Sequence, residues 1–385
     1  MRIIIYNSSS FGGCFDYGRE IFKAFQKKDA LHSCEWWIPE NASAEGLSGV
    51  RKLFVSDRPD FRSKILKQIH FLYRTLMNPL LLYMRLAAAP NSVVIFNDFE
   101  QLSAPLWVPL FRKFLIRRHV FSVILHDPDR DAYPPSLAWT RFSMKQMMGI
   151  MDVAFFHGYL PEKSYYKQNN QCHFIDIPHG IFPMPDPDPA FLEILRKRVP
   201  ESQKLLAIPG NIREEKNYQL AIEALQHLPD CHLLVAGSAS NARVNIDAYK
   251  QQAEKSGVSN RLVWIEKYLS PEELAAVMKG SDVILLNYSD SFTSQSGIFN
   301  VAVPFRKPVV VSKGKSSLSK MVQAFGIGTV SECQDAEGLA KAIRTALSAK
   351  ANPWHWDEYL SYASWEHNTS LAFSNLYLAK AASGR

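Results

Sequence analysis

Short apolar runs recur along the chain, each followed by a longer amphipathic stretch, and this alternation occurs twice. The runs expected as strands are Ile3–Tyr6, Val93–Phe96, Phe121–Leu125, Val153–Phe156 and Phe174–Ile177 in the first half. In the second half they are Leu205–Pro209, His232–Ala236, Leu262–Ile265, Val283–Leu286, Pro308–Val311 and Thr329–Val330. Strand–helix alternation of this kind predicts a parallel sheet covered by helices, here built twice. The stretch 178–191, PHGIFPMPDPDPAF, carries five prolines and breaks both periodicities. It marks the boundary between the halves. A chain of 385 residues also exceeds one ordinary core. The expected fold class is therefore α/β, with two doubly wound Rossmann-like domains facing across a cleft. The expected boundaries are 1–183, a linker at 184–200, a second domain at 201–352, and a C-terminal helix at 353–385 packing back on the first domain.

Composition narrows the function classes. Hydrophobic residues make up 47%, the range of a globular protein, and no apolar run is long enough to span a bilayer. The opening MRIIIYNSSSFGG looks like a first strand and a Gly-rich turn rather than a signal peptide. Five scattered cysteines without a CxxC pair point to reduced thiols and a cytoplasmic setting. The net charge of +7 is uneven: residues 1–183 hold 22 Lys and Arg against 16 Asp and Glu. Within 51–85 there are eight basic and two acidic residues, interleaved in FRSKILKQIHFLYRTLMNPLLLYMRL with large apolar side chains. Such a surface fits contact with an anionic membrane, on its inner face, while a core-packed helix pair with a solvated basic face is the plainer alternative. No stacking motif accompanies the charge, which argues against nucleic acid.

Two stretches carry the residues of an anion site. The strand at 205–209 runs into Gly210-Asn211-Ile212-Arg213-Glu214-Glu215-Lys216. Gly210 permits a tight turn, and Arg213 and Lys216 precede a helix beginning near Tyr218. Two cations beside a helix N-terminus suit a diphosphate, since arginine grips two oxygens while lysine acts as a point charge. The second stretch, DVILLNYSDSFTSQSGIFNVAVPF at 282–305, is a strand, a Ser/Thr/Gly turn and a helix start. The N–H groups of Ser296, Gly297 and Ile298 form a ready phosphate cradle. A simple Ser or Thr helix cap is the competing explanation.

These residues resemble the retaining GT-B glycosyltransferases, especially family 4, the glycosyl transferases of group 1. That family carries G-x-I-R-x-x-K-G at the corresponding place, and only its last glycine is replaced here, by Asn217. The likeness continues through CHLLVAGSA at 231–239, NRLVWIEKYLSPEELAAVMKGSDVILLNYS at 260–289 and RKPVVVS at 306–312. By resemblance, Arg213 and Lys216 bind the donor diphosphate and stabilise the departing nucleotide, while the backbone at Tyr268 and Leu269 meets the base. The family's E-x7-E pair is absent: Thr293 and Val301 stand at those positions, and 293–297, TSQSG, looks like a variant turn. The resemblance extends to Gly12 and Gly13, in a loop near donor phosphate and acceptor, and to His126, which follows a strand and contacts the transferred sugar in many members. Asp127, Asp129 and His157 are the candidate acceptor-binding residues, with a divalent cation on the aspartates as an alternative. His179 and Gly180 match the family's I-P-H-G segment and are expected to shape the hinge.

The function this implies is transfer of a sugar from a nucleotide-diphosphate donor to a saccharide or lipid-linked acceptor, in bacterial surface polysaccharide or lipopolysaccharide assembly. No cofactor and no metal are expected, because the histidines and cysteines show no tight ligand spacing. No G-x-G-x-x-G, G-x-S-x-G or Walker loop is present. Two other readings stay open: a non-catalytic nucleotide- or glycan-binding protein, and a sugar-nucleotide epimerase or phosphorylase.

Overall fold

The computed structural model describes residues 1–28, 33–57, 61–131, 136–167, 171–241, 244–332, 335–349 and 355–384. Cys333, and Trp354 at the start of the aromatic C-terminal segment, lie outside them. The chain forms two compact units, Met1–Gly180 with Ser364–Arg385, and Ile181–Ala363.

The first unit runs β1 (Arg2–Tyr6), α1 (Gly13–Gln26), β2 (Ser33–Pro39), β3 (Val50–Phe54), α2 (Lys64–Ala88), β4 (Val93–Phe96), α3 (Ala104–Phe114), β5 (Val120–Leu125), α4 (Leu137–Met148), β6 (Val153–Phe156), α5 (Ser164–Lys167) and β7 (His173–Asp176). Its sheet has the order β3-β2-β1-β4-β5-β6-β7 and every pairing is parallel. β1, β4 and β5 are apolar almost throughout because helices cover both of their faces. β2 and β3 were not expected from the sequence. Glu35 interrupts the apolar run of β2, yet it lies against Arg2 and Arg51 and accepts a hydrogen bond from Trp37 Nε1 at 2.9 Å. β3 is the sheet edge and exposes Arg51 and Lys52, a charged rim that discourages further pairing.

The second unit runs α6 (Pro189–Lys197), β8 (Lys204–Pro209), α7 (Tyr218–Gln226), β9 (Cys231–Ala236), α8 (Ile246–Lys255), β10 (Leu262–Ile265), α9 (Pro271–Gly280), β11 (Val283–Leu286), α10 (Gly297–Ala302), β12 (Val309–Ser312), α11 (Leu318–Phe325), β13 (Gly328–Ser331), α12 (Ala336–Ser348) and α13 (Trp356–Tyr362). A last helix, α14 (Trp365–Ser383), belongs to the first unit. The second sheet has the order β10-β9-β8-β11-β12-β13, again all parallel. One apolar cluster lies on each of its faces.

Part of the expected linker 184–200 is ordered helix in the second unit. Asp188 caps α6 through the N–H groups of Ala190 and Phe191 at 2.9 and 3.0 Å, and Phe191 and Leu195 enter the core. The expected C-terminal segment 353–385 is likewise divided. Trp356 and Tyr359 of α13 are buried in the second unit, while α14 packs on α1.

Strand order reverses direction between β1 and β4 in the first unit and between β8 and β11 in the second. In open α/β sheets ligands bind beyond the strands' carboxyl ends at such a reversal. The loops after β8 and β11 are those that the sequence marked as anion-binding.

α2 meets the protein along one face only. Thr75, Asn78, Pro79, Leu82 and Leu86 are buried, whereas Ile65, Leu66, Ile69, Leu72, Leu76 and Met84 are exposed, Ile65 at 67%. Leu106, Leu110 and Phe114 of α3 are exposed as well, and Phe114 meets Tyr83 of α2 at 6.2 Å between ring centroids. Neither helix contains an Asp or Glu.

The close approach of the loops after β8 and β9 requires glycine at 237. A Cβ there would lie 2.2 Å from the Gly210 carbonyl oxygen. Gly237→Ala is expected to destabilise the second unit by about 1–3 kcal/mol. Gly314→Ala, where a Cβ meets nothing within 4 Å, stays within about 0.5 kcal/mol. Denaturant unfolding of both variants measures the difference.

Candidate active site

The loop after β8 folds back under the loop after β11. Gly210 has φ 84°, and a Cβ on it would lie 2.6 Å from Ile298 Cδ1 and 3.4 Å from Lys216 Nζ. Only glycine adopts this conformation freely and leaves room for Ile298. Lys216 closes a 3₁₀ turn at Glu214–Lys216, is 3% exposed, and donates from Nζ to the Pro209 carbonyl. Burial, helped by the positive charge of Arg213, pulls its pKa down to about 7. Asn217, which stands where the family resemblance led us to expect glycine, sits in the left-handed region with φ 51° and ψ 53°. Asparagine tolerates that region better than other side-chain-bearing residues, so the exchange preserves the turn. Two hydrogen bonds fasten the loop after β11 to this turn: Asn287 Nδ2 donates to Asn217 O at 2.9 Å, and Ser289 N donates to Glu215 O at 2.8 Å.

The bend at 293–297 is built from its hydroxyls. Ser296 caps α10, its Oγ accepting from Phe299 N at 3.2 Å, and shares a 2.9 Å hydrogen bond with Tyr288 Oη. Tyr288 stacks on Phe292 at 3.8 Å. Burial raises the Tyr288 pKa, and the nearby charge of Arg213 opposes that rise. Arg213 is exposed, and its charge reaches both Tyr288 and Lys216. Gly297 is exposed, and Ile298 and Thr293 are half-buried. Val301 packs against the apolar core, so the position that would carry the second acid of the E-x7-E pair contributes core contact instead. Tyr268 is 78% exposed after β10, while Leu269 is buried beneath it. The structure thus gathers Gly210, Arg213, Lys216, Ser296, Gly297 and Ile298 at one reversal of one sheet.

Residues 193–360 match the family model of the glycosyl transferases group 1. The match takes in most of the second unit and none of the first. Curated relatives include D-inositol 3-phosphate glycosyltransferases of Mycobacterium marinum, 26% identical over 48% of this chain, and of Mycolicibacterium smegmatis, 28% identical over 40%. The match spans only 38% of either relative's length. Solved structures similar over the whole chain include the α,α-trehalose 6-phosphate synthase of Burkholderia multivorans, at 13% identity, TM-score 0.68 and 99% of both chains. The Anabaena protein Alr3699/HepE, solved with UDP and glucose, matches at 14% identity, TM-score 0.62 and 100% of both chains. The α/β GT-B fold expected from the sequence is the fold found.

In the first unit Gly12 has φ 81° and precedes α1, and a Cβ on Gly12 or Gly13 would meet nothing within 4 Å. The loop before them is anchored by Ser8 N and Ser9 N to Asp98, and by Ser10 N to Asp57 at 2.8 Å. His126 follows β5 and its Nε2 meets Asn97 Oδ1 at 3.0 Å. Asp127 is half-buried. Asp129 is engaged by Lys163 at 2.8 Å, which also holds Asp131, so the second proposed acceptor aspartate belongs to an ion-pair network. His157 is 5% exposed, with Nδ1 on the Ile177 carbonyl at 2.9 Å; it lies within the unit rather than on a surface open to an acceptor. His179, read from sequence as a hinge residue, joins His126 and His157 around the Tyr17 ring. Burial pulls the His157 pKa to about 3, that of His179 to about 4 and that of His126 well below its usual value. Tyr17 and Asn97, which hold this cluster, carry no motif by which the sequence could have marked them.

Between about pH 7 and the unfolded value near 10.4, the unfolded chain carries a proton on Lys216 that the folded chain lacks, so stability rises with pH there. A diphosphate bound there would restore the ammonium. Calorimetry of UDP binding at pH 8 in buffers of different ionisation enthalpy is expected to show uptake of about one proton, with affinity falling about tenfold per pH unit above 7. Lys216→Met removes both effects.

Proposed function

We propose that the chain is a retaining glycosyltransferase that moves a sugar from a nucleotide-diphosphate donor to a saccharide or lipid-linked acceptor. The observation that carries this is the convergence of Arg213, the buried Lys216 and the Ser296–Ile298 bend at the β8/β11 reversal. As the glycosidic bond to the donor breaks, negative charge collects on the diphosphate. Arg213 and Lys216 receive it as cations, and the N–H groups at 296–298 as dipoles, in positions held before the reaction begins. The departing phosphate oxygen takes the acceptor proton, so this reading needs neither a protein general base nor a cofactor. His126 is the proposed contact to the transferred sugar, with Asp127 on the acceptor side. The UDP and UDP-glucose complexes of the Anabaena protein make UDP-sugars the first donors to try.

The bare apolar face of α2 and α3, flanked by the exposed Arg62, Lys64, Lys67, Arg112 and Lys113, supports peripheral contact with an anionic bilayer, and with it a lipid-linked acceptor in surface polysaccharide assembly. No helix among the described residues is long and apolar enough to cross a membrane. The second reading, a nucleotide-binding protein without turnover, draws on Val301, which cannot accept the hydrogen bond an acid would.

UDP is expected to raise the thermal midpoint of the native protein. Arg213→Ala should lose that shift and lower turnover about 10²–10³-fold. A shift that survives in Arg213→Ala defeats the donor site, and a shift without transfer or hydrolysis of any nucleotide sugar selects the binding protein. In sedimentation with phosphatidylglycerol vesicles, the triple variant Ile65→Glu, Ile69→Glu, Leu72→Glu is expected to bind at least about tenfold more weakly than the native chain.

A further inference from the structure

The carboxyl ends of β5 and β6 and the segment after β7 bring three imidazoles together inside the first unit. One ring nitrogen from each of His126, His157 and His179 lies within 4.8 Å of one from each of the others. Ring centroids of His126 and His157 are 5.7 Å apart, and those of His157 and His179 are 4.9 Å apart. The Tyr17 ring packs against all three at 4.6, 5.4 and 5.2 Å, and its hydroxyl accepts from Asn368 Nδ2 at 2.9 Å.

Each ring is oriented by an oxygen that can only accept. His157 Nδ1 meets the Ile177 carbonyl at 2.9 Å, and His179 Nδ1 meets the Gly180 carbonyl at 3.0 Å. His126 Nε2 meets Asn97 Oδ1 at 3.0 Å, and the Asn97 amide is fixed because its Nδ2 donates to Cys14 O at 2.6 Å. A neutral imidazole that donates from one nitrogen carries a lone pair on the other. The lone pairs therefore belong to His126 Nδ1, His157 Nε2 and His179 Nε2. Ligating histidines in metal sites are held in the same manner, with the non-ligating N–H on a backbone carbonyl or a side-chain oxygen. Arg130, whose charge also reaches His126, sits over the Phe99 ring at 4.9 Å.

We propose that His126, His157 and His179 bind one divalent transition-metal ion of the zinc class, with a fourth position open to water or another ligand. Zn–N bonds of about 2.0–2.1 Å place ligating nitrogens about 3.4 Å apart, so ring movements of about 1 Å close the site. The ion would tie β5, β6 and the segment after β7 together at the sheet's carboxyl edge. This inference does not rest on the donor site of the second unit, because every residue it uses lies in the first unit and metal binding is measured without a donor; an ion on His126 Nδ1 would replace that residue's proposed contact to the transferred sugar.

The test uses the full chain, stripped with a chelator and then dialysed against Zn²⁺ or Co²⁺. About one ion per chain is expected by elemental analysis, a Co²⁺ absorption band of four-coordinate type, and a rise in thermal midpoint that saturates at one equivalent. His179→Gln should bind at least tenfold more weakly and lose the cobalt band. Asn97→Leu, which removes an orienting oxygen and no ligand, should bind about 10–100-fold more weakly. His70→Ala, outside the cluster, leaves binding unchanged. Folding of each variant is checked by circular dichroism, and the stripped native chain tests the proposal where a variant fails to fold. Less than about a tenth of an ion per native chain overturns it, as does ion binding unaltered in folded His179→Gln. UDP-induced stabilisation, followed in parallel, reports on the second unit and is unaffected by either result.

Discussion

An ammonium group removed from water is costly unless something negative meets it. Lys216 is in that position: a single backbone carbonyl accepts from it, Ile298 covers the adjoining glycine, and Arg213 adds a like charge nearby. Stability alone does not account for such an arrangement, since it weakens the charged form of the very residue that it buries. On the function proposed above, the donor diphosphate supplies the missing negative charge. Neighbouring residues fix the turn that carries it. Gly210 opens the space, Asn217 turns the chain in the left-handed region, and the Asn287 and Ser289 contacts bring the second loop to the first.

The same topology is built twice, and in both units the order of strands reverses beside the first strand. The two reversals are furnished differently. In the second unit cations and a hydroxyl bend surround the opening. In the first, serine N–H groups answer Asp98 and Asp57, and the histidines gather farther along the sheet edge. One architecture thus carries cations at one reversal and a cluster of imidazoles at the edge of the other sheet, a difference set by side chains rather than by the fold.

Much of this was legible from residues alone. Strands inside a helix-covered parallel sheet are apolar runs without polar breaks, so β4, β6, β10 and β11 coincide with the runs read from the sequence. β2 and β3 escaped notice for physical reasons: one carries a glutamate neutralised by arginines distant in sequence, and the other is an edge that must be charged. Arg213 and Lys216 were readable because they share one turn and match a family pattern. The histidine cluster was not. Its members come from three strand ends, and only the sheet's register makes them neighbours. At Asp129 the sequence showed a carboxylate in a promising loop but not its ion pair with Lys163, which only the fold brings near. The bare side of α2 was half visible: the sequence showed cations among apolar residues, but which of them lacked a packing partner depended on where the helix rests.

The first unit is made from two separated lengths of chain, and α14 is its closing piece. Trp365 lies so near Gly180 that any larger residue at 180 would collide with the indole, and Asn368 bonds both Tyr17 Oη and the Pro178 carbonyl. During synthesis the sheet of this unit emerges from the ribosome early, yet the surface around Tyr17 stays uncovered until the whole second unit has been translated. The first unit therefore cannot close until the last of its two chain segments has been made.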